Sequence, residues 1–94
     1  MRPIHPGEIL REDVLAEFGM SANALAKALR VPANRITAIL NEERGITADT
    51  ALRLSRYLGT TPEFWLNLQA SFDLRTAERH AGKTIARAVK PRAA

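Results

Sequence analysis

An all-α fold is predicted for this 94-residue chain by three features. Apolar residues recur at helical spacing, β-branched residues do not alternate along any stretch, and Pro, Gly, Ser and Thr stand where helices begin and end. A chain of this length builds one core, which excludes a two-domain enzyme. Cysteine is absent, so disulfides and thiolate metal sites are excluded, and His5 and His80 lack the neighbouring ligands of a metal motif. No metal, cofactor or small-molecule substrate is expected. The opening MRPIHPGEIL lacks the order of a signal peptide, and no apolar run approaches the roughly 20 residues that span a bilayer, so a cytoplasmic address without a membrane partner is expected.

Five helices follow in order. Pro6 opens the first, Glu8 favours its positive end, Ile9, Leu10, Val14 and Phe18 form its apolar face, and Gly19 stops it. Ser21 caps the second, in which Leu25, Ala26 and Leu29 recur at helical spacing. Pro32 suits the first turn of the third, whose inward positions Ile36, Ile39 and Leu40 leave Ala33, Asn34, Arg35, Thr37, Ala38 and Asn41 outside. After a loop from Glu42 to Gly45, Thr47 caps the fourth helix. Ala51, Leu52, Leu54 and Leu58 are expected to pack inward there, with Tyr57 beside them, before Gly59 ends it. Thr61, Pro62 and Glu63 begin the fifth, where Phe64, Trp65, Leu68, Phe72 and Leu74 cover more than one narrow stripe. That is more apolar surface than a five-helix domain of this size needs for its own core. The domain is expected to span residues 1–78. Residues 79–94, where alanines alternate with basic residues, are expected to form a basic tail, either frayed helix or disordered.

The net charge of +4 arises wholly after Gln69, because acidic and basic residues balance up to that point. Within the balanced part the first helix is acidic, carrying Glu8, Glu12, Asp13 and Glu17, while Lys27, Arg30, Arg35, Arg44, Arg53 and Arg56 make the middle basic. One face therefore suits phosphate and another does not.

The second and third helices meet the requirements of a helix-turn-helix. Ala26 is the small residue where two helices approach, Leu25, Leu29, Ile36 and Ile39 wedge them together, and Val31 closes the turn. Arg30 occupies the turn position that often holds glycine, where a left-handed backbone would cost on the order of 1 kcal/mol. The outer face of the third helix is small and polar enough to enter a major groove about 12 Å wide. Asn34 can pair with adenine, Arg35 with guanine or a phosphate, and Ala38 or the Thr37 methyl can touch thymine. Ser21, Asn23, Asn41 and Arg44 are placed for phosphates.

Five segments occur here in one ordered succession: HPGEIL at His5 to Leu10, the helix pair from Ser21 to Asn41, RGI at Arg44 to Ile46, ALRL at Ala51 to Leu54, and EFWLNLQASFDL at Glu63 to Leu74. Together they resemble the HigA antitoxin family, within the lambda-repressor-like or XRE-type regulators, over roughly Ile4 to Ala77. The resemblance implies a five-helix lambda-repressor-like domain that forms a homodimer, binds double-stranded operator DNA upstream of its own operon, and complexes a HigB-type ribonuclease toxin of the RelE-like class. Carried over by position, Pro32, Ala33, Asn34, Arg35, Thr37 and Ala38 would form the recognition surface, with Ser21, Asn23, Asn41 and Arg44 on the backbone and Phe64, Trp65, Leu68 and Phe72 of the fifth helix at the dimer interface. The basic end receives no role from the resemblance. The competing readings are a stand-alone regulator without a toxin and a protein-interaction module that does not bind DNA. Catalysis by His5 with Glu8, or by Asp49 with Arg53, is disfavoured because caps and helix dipoles already account for these residues.

Overall fold

The computed structural model describes residues 2–92, and among them the secondary structure is helical throughout. The first helix, α1, is a continuous rod formed by Pro6–Ile9, a π-helical stretch Leu10–Leu15, and Ala16–Phe18. It is followed by α2 (Ala22–Leu29), α3 (Ala33–Leu40), α4 (Ala48–Leu58) and α5 (Pro62–Ala88).

The expected starts and stops act locally, as their chemistry requires. Ser21, Thr47 and Thr61 each accept a hydrogen bond from the backbone N–H three residues on. Such caps contribute about 1 kcal/mol apiece. Gly19 and Gly59 end α1 and α4 in the left-handed conformation at φ 64° and 77°. Pro32 stands one position earlier than expected, as the N-cap of α3 and not inside its first turn.

The core gathers Leu10, Leu15, Leu25, Ala26, Leu29, Ile36, Ile39, Ile46, Ala51, Leu54 and Trp65. Two expected faces are corrected. In α1 the π turn places Leu15 under Leu10, five residues apart, so Leu15 takes the inward place and Phe18 is 59% exposed. In α4 the inward stripe runs through Thr50, Ala51, Leu54 and Ser55, which turns Leu52 and Tyr57 outward. The two buried hydroxyls stay satisfied: Ser55 Oγ donates to the Leu52 carbonyl at 3.0 Å, and Thr50 Oγ1 lies 3.3 Å from Thr47 Oγ1.

Two glycines mark close approaches. At Gly7, α1 presses on the end of α3 so tightly that a Cβ would overlap the Ile39 carbonyl oxygen. At Gly45 the Gln69 side chain fills the Cβ position, which lets Gln69 Oε1 accept from the Ile46 N–H at 2.8 Å while its Nε2 donates to Asp73 at 2.9 Å. Arg11 adds a third tie by donating from α1 to the Leu40 carbonyl. These ties lock α1 onto the end of α3 and α5 onto the loop that follows it.

The helix α5 does not stop near residue 78. Its 27 residues continue to Ala88, and the molecule measures 52 × 22 × 20 Å because the distal half of α5 projects beyond the core. The segment expected as a tail is therefore helical as far as Ala88 in this structure, while Ala93 and Ala94 lie outside the described residues.

Trp65 is also corrected. Only 1% of it is exposed, and its Nε1 donates to Thr60 Oγ1 at 2.8 Å, so it is a core residue of one chain and cannot present an interface. Of the other three residues assigned to the interface, Leu68 and Phe72 are half-buried and Phe64 is exposed.

Candidate nucleic-acid interface

The site is built on α2 and α3, packed against each other through Leu25, Ala26, Leu29, Ile36 and Ile39. The turn between them is a Schellman motif, in which the Val31 N–H reaches the Ala26 carbonyl at 3.0 Å and the Arg30 N–H reaches that of Lys27 at 3.2 Å. Arg30 sits in it at φ 60°, the left-handed conformation glycine would adopt without cost. Arg53 steadies the turn from α4, its Nη1 donating to the Leu29 carbonyl at 2.9 Å and to that of Arg30 at 3.3 Å. A second turn of this kind ends α3, with Glu42 at φ 62° and Glu43 N–H on the Ala38 carbonyl. It had no glycine or asparagine at that position to announce it.

The structure leaves most of the expected contact residues exposed. Pro32, Ala33, Asn34 and Thr37 are exposed along α3, with Asn41 and Arg44 beyond its end and Ser21 and Asn23 at the start of α2. Thr37 Oγ1 donates to the Ala33 carbonyl at 3.1 Å. Ser21 Oγ accepts from the Ala24 N–H at 3.1 Å, which leaves its own proton to donate to a phosphate. Ala38 is half-buried.

Arg35 is held differently from the others. Its Nη1 donates to Asp49 Oδ2 at 2.8 Å, and Arg53 Nε donates to the same oxygen at 2.8 Å. Hydrogen bonds from Arg53 and then Arg35 hold the Asp49 carboxyl below its ordinary range, so it is charged at neutral pH. Asp49 and Arg53 thus link α4 to both helices of the motif. Their i, i+4 spacing on one helix was visible in the sequence, whereas the pairing of Asp49 with Arg35 spans two helices and left no local signal.

Neither pair considered for catalysis is arranged as acid and base. His5 is buried, its Nδ1 accepts from the Gly7 N–H at 2.8 Å as the cap of α1, and its ring meets Phe72 edge-on at 4.8 Å. Glu8 instead forms two hydrogen bonds with Arg2, which hold its carboxyl below the ordinary value. Asp49 and Arg53 form the ion pair described above.

Two short helices wedged at a small residue, with a small polar outer face on the second, define a helix-turn-helix protein. The helix-turn-helix family HTH_3 matches residues 10–65. Antitoxin HigA-1 of Vibrio cholerae serotype O1 is 39% identical over 90 residues, covering 96% of this chain and 84% of that one. The structure of an addiction module antidote protein of the HigA family from Coxiella burnetii is 60% identical, with a TM-score of 0.91, covering 98% of this chain and 100% of the other. Pseudomonas aeruginosa antitoxin HigA with the higBA promoter is 51% identical, with a TM-score of 0.92 and coverages of 96% and 98%. The chain belongs to the HigA antitoxin family of XRE-type helix-turn-helix proteins.

Proposed function

We propose that this chain is an antitoxin that binds the operator of its own operon as a homodimer, represses that operon, and neutralises a HigB-type ribonuclease toxin in the cytoplasm. The observation that carries the reading is the exposed face of α3, where Ala33, Asn34 and Thr37 stand clear of the core on a helix slim enough for a major groove. The P. aeruginosa relative with its promoter supports double-stranded operator DNA as the target. Asn34 and the Thr37 methyl are the base readers of this reading, Ser21, Asn23, Asn41 and Arg44 its phosphate contacts, and Pro32 and Ala38 its close-packed edges. Each base contact is worth roughly 1–3 kcal/mol of discrimination.

One helix in one groove makes few contacts, whereas a dimer meets two half-sites about 34 Å apart. The apolar surface left on α5 after Trp65 is assigned to the core, chiefly Phe64 with Leu74, supports a second copy as its cover. The test is titration of the purified chain against a duplex carrying its upstream promoter region and against a scrambled duplex. Wild type should prefer the promoter with two chains per site, and Asn34→Ala with Thr37→Ala should remove the preference while leaving salt-sensitive binding. Equal affinity of wild type for both duplexes would refute sequence-specific recognition. Co-expression with the product of the neighbouring gene tests the toxin, whose ribonuclease activity should disappear on complex formation.

A further inference from the structure

The basic residue at the centre of the recognition helix is engaged by an acid from another helix. Arg35 neighbours the exposed Asn34, yet its guanidinium lies on Asp49 at 2.8 Å, and its side chain is 25% exposed against 56% for Asp49. We propose that Asp49 is a specificity-determining residue, which competes with DNA phosphate for the Arg35 guanidinium and so withholds Arg35 from nonspecific DNA. The inference rests on the operator-binding reading above.

Three observations carry it. First, the same Asp49 oxygen is shared with Arg53 at 2.8 Å, so departure of Arg35 leaves the carboxylate paired and makes the exchange cheap. Second, Arg53 is anchored separately on the Leu29 and Arg30 carbonyls, so the turn keeps its brace when Arg35 leaves. Third, the Arg35–Asp49 pair is solvent-accessible, and accessible ion pairs are weak enough for a phosphate to displace. On random sequence, where Asn34 and Thr37 find no matching bases, a phosphate within reach of Arg35 must displace Asp49 unaided, and Arg35 stays on Asp49. On the operator the base contacts hold α3 against the backbone and favour the exchange. Asp49 then costs nonspecific binding more than operator binding.

The test compares wild type, Asp49→Asn, Arg35→Ala and the double variant on promoter and scrambled duplexes over a range of salt, with thermal melting as a check on folding. Asp49→Asn should raise affinity for scrambled DNA by about threefold. The slope of log affinity against log salt on that DNA should steepen by about 0.9, the value of one added phosphate contact. Both changes should vanish in the Arg35→Ala background. A brace that only supports the fold would lower the melting temperature and leave the slope alone, which overturns the proposal. An equal change of slope with and without Arg35 also overturns it, because Asp49 would then act by its own repulsion. In both cases the promoter preference of wild type stays intact, whereas its absence would sink the operator reading and this inference together.

Discussion

The body of the molecule and the distal half of α5 are both helical, but they are held by different forces. In the body each helix buries a stripe against another, and residues distant in sequence close the seams: Gly7 on Ile39, Arg11 on Leu40, Gln69 on Ile46 and Arg53 on Leu29. Beyond Phe72, every residue of α5 except Thr76, Ala81 and Gly82 is exposed. Leu74, Ile85 and Val89 are exposed there, and helix propensity with i, i+3 and i, i+4 neighbours such as Arg75 with Glu78 does the holding. Substitutions should therefore be costly in one region and almost silent in the other.

The largest effect is expected at Trp65, which roots the first turn of α5 in the core. Trp65→Ala should destabilise the chain by about 4 kcal/mol in chemical denaturation, because a wholly buried indole is removed and Thr60 loses its donor. A loss below about 1 kcal/mol would mean that the body does not depend on its junction with α5. Gly7→Ala should follow at about 3 kcal/mol, since the added methyl can be relieved only by moving α1 away from the Ile39 carbonyl. Amide exchange near Ile39 should accelerate in that variant, and an unchanged rate would show that the seam relaxes elsewhere. Arg30→Gly changes the sign. Relief of the left-handed backbone should stabilise by about 0.5 to 1 kcal/mol, with the Arg53 hydrogen bonds to the turn carbonyls retained.

These sites also divide what the sequence announces from what it does not. Ser21, Thr47, Thr61, Gly19 and Gly59 act on backbone a few residues away, so their identity alone marks the helix ends. The stripe Leu25, Ala26, Leu29, Ile36, Ile39 is periodic, and so the helix-turn-helix and most of its outer face could be read directly. Phe18 failed because a π turn changes the helical register without a compositional sign, and Leu52 failed because Thr50 and Ser55, small enough to bury with satisfied hydroxyls, took the inward stripe. Arg35 was placed on the correct helix, but its partner Asp49 lies 14 residues away, and no periodicity encodes such a meeting. In the distal part of α5 the alternation of alanine with basic residues reads as tail only by its lack of a buried face, whereas alanine and arginine are themselves strong helix formers.

His5 lies within the body, between Gly7 and Phe72, and is expected to make its stability pH-dependent. Burial lowers its pKa, outweighing the opposing pull of Glu42, of Asp73 and of the Arg44 backbone, and Arg11 lowers it further. The unfolded imidazole takes up a proton near pH 6.5, whereas the folded one resists because Nδ1 accepts from the Gly7 N–H and the ring lies against Phe72. Stability is thus complete above about pH 6.5 and falls as the pH drops toward the lower folded value. Denaturation measured from pH 8 to pH 5 should show this decline, and His5→Asn, which keeps a cap acceptor but cannot titrate, should flatten it. A decline of equal size in His5→Asn would assign it to the carboxylates.

The smallest effect tests the projecting helix itself. Ile85→Ala removes a side chain that is exposed in the single chain and replaces it with a better helix former, so the expected change is within about 0.5 kcal/mol and toward stability. Exchange protection of the amides from 79 to 88 should fade before that of the body and should not depend on protein concentration. If Ile85→Ala instead lowers the melting temperature, and does so most at high concentration, then a second copy covers this arm. The dimer would in that case extend from Phe64 along the whole helix, and the distal half of α5 would belong with the body, held by burial like the rest.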